Sequence, residues 1–471
     1  MIINPKQEEK VSGSYIFGFS TQCTVNKALG KAIFQELWTG FCCAAGEIEF
    51  ACVDDLAIKI GQVETLKKPE NGYVMEITEQ GVSISASDVK NLIFGFFALL
   101  ERITPISTKK GEERFSIACC KVKDEACVKI RMAHLCVFPE TDLAFIRKFI
   151  RAAAFLRYTH LIIEFWGTLQ FDCLKELAWE ECSYSKDEIR PLLQEARDLG
   201  MELVPMFNLW GHAAGCRVKT GKHVVLDQNL ALAPLFSDSG WEWNLSNPET
   251  IKLQEKICEE LIELFGEGEY FHIGCDEAYS AKTNEEFEAV VDYINAANER
   301  LQKQGRKTIM WGDMLLHVDT LNRKLVENRY YISCPNIEFQ EILLNKLPRS
   351  IIIGDWQYNA QKYPIETTLF FKEKGFEVLC CPWDLSKDNV VLSAEMIKKH
   401  NLLGVMHTTW QSIRSDNGIW ELINSAALCW GDEEVKRKWV LLCSFASIIR
   451  KLDFTCSGYE NAGWEKKQIL D

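Results

Sequence analysis

Two adjacent carboxylic acids, Asp276 and Glu277, close the apolar run Phe271-His272-Ile273-Gly274-Cys275. Neighbouring acids recur in this chain, as at Glu8-Glu9 and Glu433-Glu434, so the pair gains meaning only from its position. A strand that ends at the rim of a barrel would bring both carboxyls out of water side by side. Burial and a like-charged neighbour each raise a carboxyl pKa, which is what a general acid needs near neutral pH. One acid could then carry a proton while the other stays anionic. The same residues could instead cap the following helix, and the residues alone allow both readings.

The second group is aromatic. Trp166, Trp311, Trp356 and Trp410 each fall at or just past the end of an apolar run, with Trp210 and Trp383 close by. A tryptophan carries roughly 150–250 Å² of surface, so several left open need a flat apolar partner. The C–H face of a sugar ring is one; the alternative is that they plug a barrel mouth as core. The eight histidines are scattered singly, and the cysteine pairs at Cys42-Cys43, Cys119-Cys120 and Cys380-Cys381 lack C-x-x-C spacing. That pattern predicts no metal site and calls for no cofactor.

The elements that must position these residues follow one rhythm. Aliphatic runs at 129–136, 159–166, 202–209, 269–275, 307–312, 350–356, 376–382 and 403–409 begin about 39 residues apart on average, near the ~30 or more residues of a βαβ unit. Eight such units predict a (β/α)8 TIM barrel, with its chemistry at the C-terminal ends of the strands. Between them, Thr283 with Glu286 reads as a capping box and Gly305 as a stop, and Asn247-Pro248 opens a second helix that Gly266 closes. Ser185 with Glu188 suggests a third box, but Pro191 predicts that the regular helix starts nearer Ile189, with Gly200 ending it.

Residues 1–124 do not share this rhythm and predict a separate, small α+β domain, with a strand at 81–86, a helix at 88–103 and any linker within 121–125. The barrel domain then covers 125–471, its tail from residue 431 helical at first.

Composition narrows the partners. The 471 residues are 47% hydrophobic and 25% charged, and 53 basic against 67 acidic residues give a net charge of −14. Such a chain repels phosphate backbones, so nucleic acid is excluded as a partner. No run reaches the ~18–20 apolar residues of a membrane span, and the opening MIINPKQEEK has no signal-peptide core. The expectation is a cytoplasmic protein with no membrane partner, whose 19 cysteines are reduced thiols.

The segment His272 to Glu277 resembles the H-x-G-G-D-E signature of glycoside hydrolase family 20 β-N-acetylhexosaminidases, with Cys275 where the second glycine usually stands. Arg131 resembles the family's arginine that grips sugar hydroxyls. Gly211-His212 is similar to a third-strand P-G-H element, Trp311 to the fifth-strand tryptophan, and Trp410 to the eighth-strand tryptophan that floors the pocket. GVSISASDVKNLIFGFFALLERIT, at 81–104, is similar to the end of the domain that precedes the barrel in this family. The departures are specific. Trp210 replaces a proline, and Met206 and Asn208 replace acids. The second-strand aspartate has no counterpart beyond Glu164, and Ser412 replaces a glutamate. Pro382-Trp383-Asp384 keeps an aspartate in Asp384 but lacks the acetamide-binding tyrosine, for which Tyr358 is the candidate.

The resemblance implies an exo-acting, retaining glycosidase whose substrate is a small oligosaccharide or glycoconjugate ending in β-linked N-acetylhexosamine. The substrate's acetamide oxygen attacks the anomeric carbon, Glu277 serves as acid and then base, and Asp276 orients the acetamide. His212, Trp356 and Trp383 join the binding residues. Two alternatives stay open: a sugar-binding barrel that has lost turnover, and a retaining glycosidase with a protein nucleophile.

Overall fold

The computed structural model describes residues 1–18, 21–42, 50–106, 114–215, 223–384, 388–410, 413, 415–432 and 438–453. Ser412 and the end of the tail lie outside the described residues. No described helix is long and apolar enough to cross a membrane.

The N-terminal layer is a sheet of β1 (Gln7–Phe17), β2 (Cys23–Asn26), β3 (Phe50–Val53), β4 (Ala57–Gly61), β5 (Tyr73–Thr78), β6 (Gly81–Ala86), β7 (Thr104–Ile106) and β8 (Arg114–Asp124). Its order is β1-β8-β5-β6-β4-β2-β3, with β7 on β8. The helix Val89–Leu100, capped by Asp88, covers β6, every residue of which is buried. The charged stretch 121–124 is no linker. It is the end of β8, alternating exposed Lys121 and Lys123 with buried Val122 and Asp124, a half-buried strand.

Eight parallel strands then close a barrel: β9 (Ile130–Val137), β10 (His160–Phe165), β11 (Glu202–Met206), β12 (Tyr270–His272), β13 (Lys307–Trp311), β14 (Ile352–Asp355), β15 (Glu377–Cys380) and β16 (Gly404–His407), with β16 pairing back onto β9. Each falls within or beside the aliphatic run expected for it. The strand alternation sends Met132, Ile162, Val204, Ile309, Ile352 and Met406 inward to one packed core. β12 is shorter than its run because Gly274 (φ 64°) and Cys275 (φ 70°) leave the extended region.

The helices carry the expected punctuation. Asn284–Lys303 begins with both arms of the Thr283–Glu286 box, and Pro248–Phe265 has Asn247 as its cap and Gly266 at its end. The helix Lys186–Asp198 starts three residues before Ile189, with Ser185 and Glu188 forming a full capping box. Pro191 lies inside the helix and gives up its own backbone bond, while the capping box fixes the first turn ahead of it.

Asp124 fastens the two layers. Its side chain is fully buried and accepts bonds from the Tyr73 hydroxyl at 2.8 Å, the Trp430 indole at 3.0 Å, the Lys6 amide at 3.1 Å and the Arg157 guanidinium at 3.3 Å. Arg131 belongs to the same junction, which corrects the role expected of it. It is the second residue of β9, at the rim opposite the strands' C-terminal ends, and alternation turns it outward while Met132 goes in. Its guanidinium lies 5.2 Å from the Trp430 ring and 5.4 Å from that of Phe94, and donates to the carbonyls of Arg157 and Val128. Arg131 therefore braces the barrel floor and cannot grip a sugar at the other rim.

Removing Asp124 leaves Arg157 buried without its counter-ion. Asp124→Ala should lower the unfolding free energy by about 3–5 kcal/mol, seen as an earlier urea midpoint. A loss below about 1 kcal/mol, the size of an average point mutation, would deny it this role.

Candidate active site

The acid pair sits on a turn that few residues adopt willingly. After β12 the chain passes through Gly274 and Cys275 in the left-handed region and reaches Glu277 at φ 48°. Each non-glycine residue held there costs roughly 1–2 kcal/mol, so glycine would be the easier occupant of the Cys275 position. Three neighbours hold the turn. The Asp313 carboxylate accepts the Glu277 amide at 2.9 Å, the Trp241 indole donates to the Glu277 carbonyl at 2.6 Å, and Glu242 accepts the Ser280 amide at 2.9 Å. A Cβ on Gly211 would lie 1.9 Å from the Asp276 carbonyl oxygen, so only glycine lets the third strand's loop approach this closely.

That approach delivers His212, itself at φ 52°, to both acids. Its Nε2 lies 3.0 Å from Glu277 Oε2 and 3.4 Å from Asp276 Oδ2. The rings of Trp241 and Trp166 pack against it at 4.3 and 5.6 Å. Burial alone would lower the His212 pKa, but the carboxylates of Asp276 and Glu277 outweigh it and push the ring up to about 10. His212 is an imidazolium at neutral pH.

The two acids differ in exposure. Asp276 is buried at 6%; burial, with the charges of Glu277 and Glu164, raises its carboxyl against the pull of His212. Glu277 is not held out of water as expected, because its left-handed backbone turns the side chain toward the rim, 35% exposed. Beside it opens a cavity of about 630 Å³ lined by Trp241, Glu242, Tyr279, Ser280 and Lys282.

The expected aromatic residues largely converge. Trp311 ends β13 and lies 6.1 Å from Trp410, whose indole donates to the Tyr358 hydroxyl at 2.8 Å. Tyr358 packs against Trp356 and Trp383, each at 5.2 Å, and Trp356 donates to Asp313 at 3.2 Å. Burial, with Asp276 adding its charge, keeps the Tyr358 hydroxyl protonated. Asp384 is half-buried after β15, near Glu421, whose carboxyl burial pushes up to about 7 with help from Asp384 and Asp388. Trp210 is in the core against Phe287, 5.6 Å away, and lines no part of this wall.

Sequence reasoning missed several participants. Asp313, buried and pushed up to about 7 by burial and by the charge of Asp276, stands two residues past Trp311. Its place at a strand end was the available signal. Trp241 and Glu242 come from the long segment between β11 and β12, and Tyr331 packs at a tilt against Trp356, 4.5 Å away, from another loop; neither segment has a periodic signature. Glu164 does reach the site's underside, where Asn208 donates to it at 2.6 Å. Burial pushes its carboxyl up, but His134, Trp166 and Cys136 outweigh this and hold it below the ordinary value. Two groups of described side chains come close enough to share an ion: His212 with Asp276 and Glu277, and His134 with Cys136 and Glu164.

Comparisons with known proteins agree on one family. The model for the glycosyl hydrolase family 20 catalytic domain matches residues 174–410, just over half of the chain. Lacto-N-biosidase of Bifidobacterium bifidum is 19% identical over 301 residues, 59% of this chain and 25% of that protein. The β-hexosaminidase of Emericella nidulans is 22% identical over 237 residues, 41% and 38% respectively. The matched segments therefore span between a quarter and two-fifths of those relatives. In fold, the chain is similar to an exo-β-N-acetylglucosaminidase of Vibrio harveyi (TM-score 0.70, 14% identity, 96% of this chain and 77% of that one). It is equally similar to a β-N-acetylhexosaminidase of Bacteroides fragilis (TM-score 0.69, 15% identity, 96% and 95%). Because the matched stretch runs through the strand ends that carry His212, Asp276, Glu277, Trp311 and Trp410, the chain belongs to glycosyl hydrolase family 20.

Proposed function

We propose that this protein releases terminal, non-reducing β-linked N-acetylhexosamine from small oligosaccharides or glycoconjugates, with retention and with the substrate's acetamide as nucleophile. The observation that carries the reading is the acid pair joined by one imidazolium, with Asp276 buried beside the aromatic wall and Glu277 turned toward an open cavity.

The sugar stacks on the wall of Trp311 and Trp410 with its acetamide toward Asp276. The acetamide oxygen forms a bond to the anomeric carbon as the glycosidic bond breaks, and Glu277 gives its proton to the leaving oxygen. The acetamide nitrogen gains positive charge in that step. The buried Asp276 carboxylate accepts its N–H and stabilises it, an interaction that strengthens as charge develops. The Tyr358 hydroxyl, already aligned by Trp410, donates to the acetamide oxygen. Glu277 then takes a proton from the water that opens the oxazolinium ring, and a second inversion gives net retention. The cavity beside Glu277 receives the leaving group.

His212 makes this cycle feasible electrostatically. With both acids ionised the trio carries a charge of −1, and protonation of Glu277 takes it to zero, so loading the general acid creates no net positive charge.

A second reading, a barrel that binds sugar without turnover, is favoured by the departures from the family pattern at Asn208, Pro382 and Ser412. A panel of nitrophenyl glycosides decides: hydrolysis of the N-acetylhexosaminides excludes that reading, and none at all supports it. Inhibition by a thiazoline mimic of the bicyclic intermediate excludes a protein nucleophile.

Three variants probe the roles. General acid catalysis contributes typically ~10²–10⁴ in rate, and nitrophenolate needs little protonation to leave. Glu277→Gln should therefore impair a sugar or alkyl glycoside far more than a nitrophenyl one; equal losses would contradict the assignment. Asp276→Asn should slow both by about 10²–10³, as for loss of one preorganised electrostatic contact. For His212, a folded-state pKa above the unfolded value makes its stabilisation complete below about pH 6.5 and lost as pH rises through about 10. His212→Gln should be about 3 kcal/mol less stable than wild type at pH 6, with the gap closing as pH approaches 10. Urea titrations in which the gap widens with pH would refute the imidazolium.

A further inference from the structure

We infer that His134, Cys136 and Glu164 form a binding site for a single zinc-like divalent ion inside the barrel, beneath the acid pair. His134 and Cys136 are two apart on β9, so alternation points both inward, and Glu164 pairs in register with Cys136 on β10. All three are buried, at 0, 2 and 4% exposure.

The distances are those of a coordination polyhedron. Cys136 Sγ is 3.3 Å from Glu164 Oε2 and 3.7 Å from His134 Nε2, and that nitrogen is 3.5 Å from the same carboxylate oxygen. Ordinary zinc bonds of about 2.3 Å to sulfur and 2.1 Å to nitrogen and oxygen, at tetrahedral angles, put sulfur about 3.6 Å from each partner and nitrogen about 3.4 Å from oxygen. The imidazole–carboxylate separation is by contrast too long for a good hydrogen bond, whose N···O distance is about 2.7–3.2 Å. A trio built only to share protons would close that gap.

The ligand chemistry and surroundings agree. Thiolate, imidazole and carboxylate together suit zinc rather than magnesium or calcium, which prefer all-oxygen shells. Asn208 donates to Glu164 Oε1 at 2.6 Å, fixing the carboxylate and leaving Oε2 for the ion. Binding replaces the Cys136 S–H bond by an S–Zn bond and releases the thiol proton to solvent. Zn²⁺ with one thiolate, one carboxylate and a neutral imidazole makes the buried cluster neutral. The site is separate from His212, Asp276 and Glu277 and does not rest on the glycosidase reading.

The test is zinc binding by the full chain, stripped with a chelator and titrated with Zn²⁺ alone against a chromophoric competitor. One tight equivalent is expected, and Co²⁺ in its place should show tetrahedral d–d bands with a sulfur-to-cobalt charge-transfer band. Cys136→Ser should abolish that band and weaken Zn²⁺ binding by more than the ~10–100-fold that loss of an outer-shell partner costs. Zinc K-edge absorption on the wild type needs no variant: one sulfur with nitrogen or oxygen neighbours supports the site. Failure of the wild type to hold an equivalent, a shell with no sulfur or several, or tight binding that survives in folded Cys136→Ser each overturns it.

Discussion

A left-handed turn held against its own preference is the constraint on which this site depends. In an extended strand, adjacent residues face opposite sides, so Asp276 and Glu277 could not both serve one cavity if β12 simply continued. Passing through positive φ at Gly274, Cys275 and Glu277 breaks the alternation and lets one imidazole reach both carboxylates. The strain is offset from outside the turn, by Asp313 after β13, by Trp241 and Glu242 of the segment before β12, and by the close approach of Gly211 after β11. Residues in sparsely populated conformations persist only where the surroundings over-determine them. Here the connections after β11 and after β13 do so, and the barrel is what brings them together.

The two rims of the barrel divide the work. At the N-terminal rim, Arg131, Arg157, Trp430 and Asp124 lock the barrel to the N-terminal sheet with buried bonds and ring contacts. At the C-terminal rim the loops carry His212, Trp241, Glu277, Tyr331 and Trp410. Besides Glu277, two of these, His212 and Trp410, have positive φ, at 52° and 41°. Rigidity at one end lets strain be carried at the other. The aromatic wall follows the same logic: Trp410, Tyr358 and Trp356 are aimed by the bonds of their polar atoms to one another and to Asp313, not by apolar packing alone.

The barrel was legible because periodicity is a local property. Each strand announced itself by a short aliphatic run, and the helix starts at Asn247 and Thr283 were written in capping residues. The acid pair was legible from its place after such a run. Contacts made across the barrel were not. Arg131 resembled a ligand of the pocket by its residue type and strand, but it is the second residue of β9, at the opposite end of that strand from the pocket. The nearness of His134 to Cys136 has its signal in i, i+2 spacing on one strand, a shared face, whereas that of Glu164 to both comes from pairing across strands. Pro191 misled in the opposite direction, since a full capping box with N3 Glu188 sets the helix start despite it.

Proton occupancy is the remaining link between this architecture and chemistry. Asp276 is the common node: burial, with the charges of Glu277 and Glu164, raises its carboxyl, and its charge in turn helps burial raise Asp313 to about 7. So many acids in a dry rim cannot all be ionised at once, since each added charge is felt by the rest. The geometry decides which gives way. His212 faces Asp276 at 3.4 Å and Glu277 at 3.0 Å, so its charge offsets both. Asp313 uses one oxygen for the Glu277 amide and the other for the Trp356 indole, so it can accept both bonds whether or not it carries a proton. It can therefore absorb a change in charge without releasing the turn. Clamping the backbone of Glu277 with a carboxyl that tolerates either state keeps the turn in place in both.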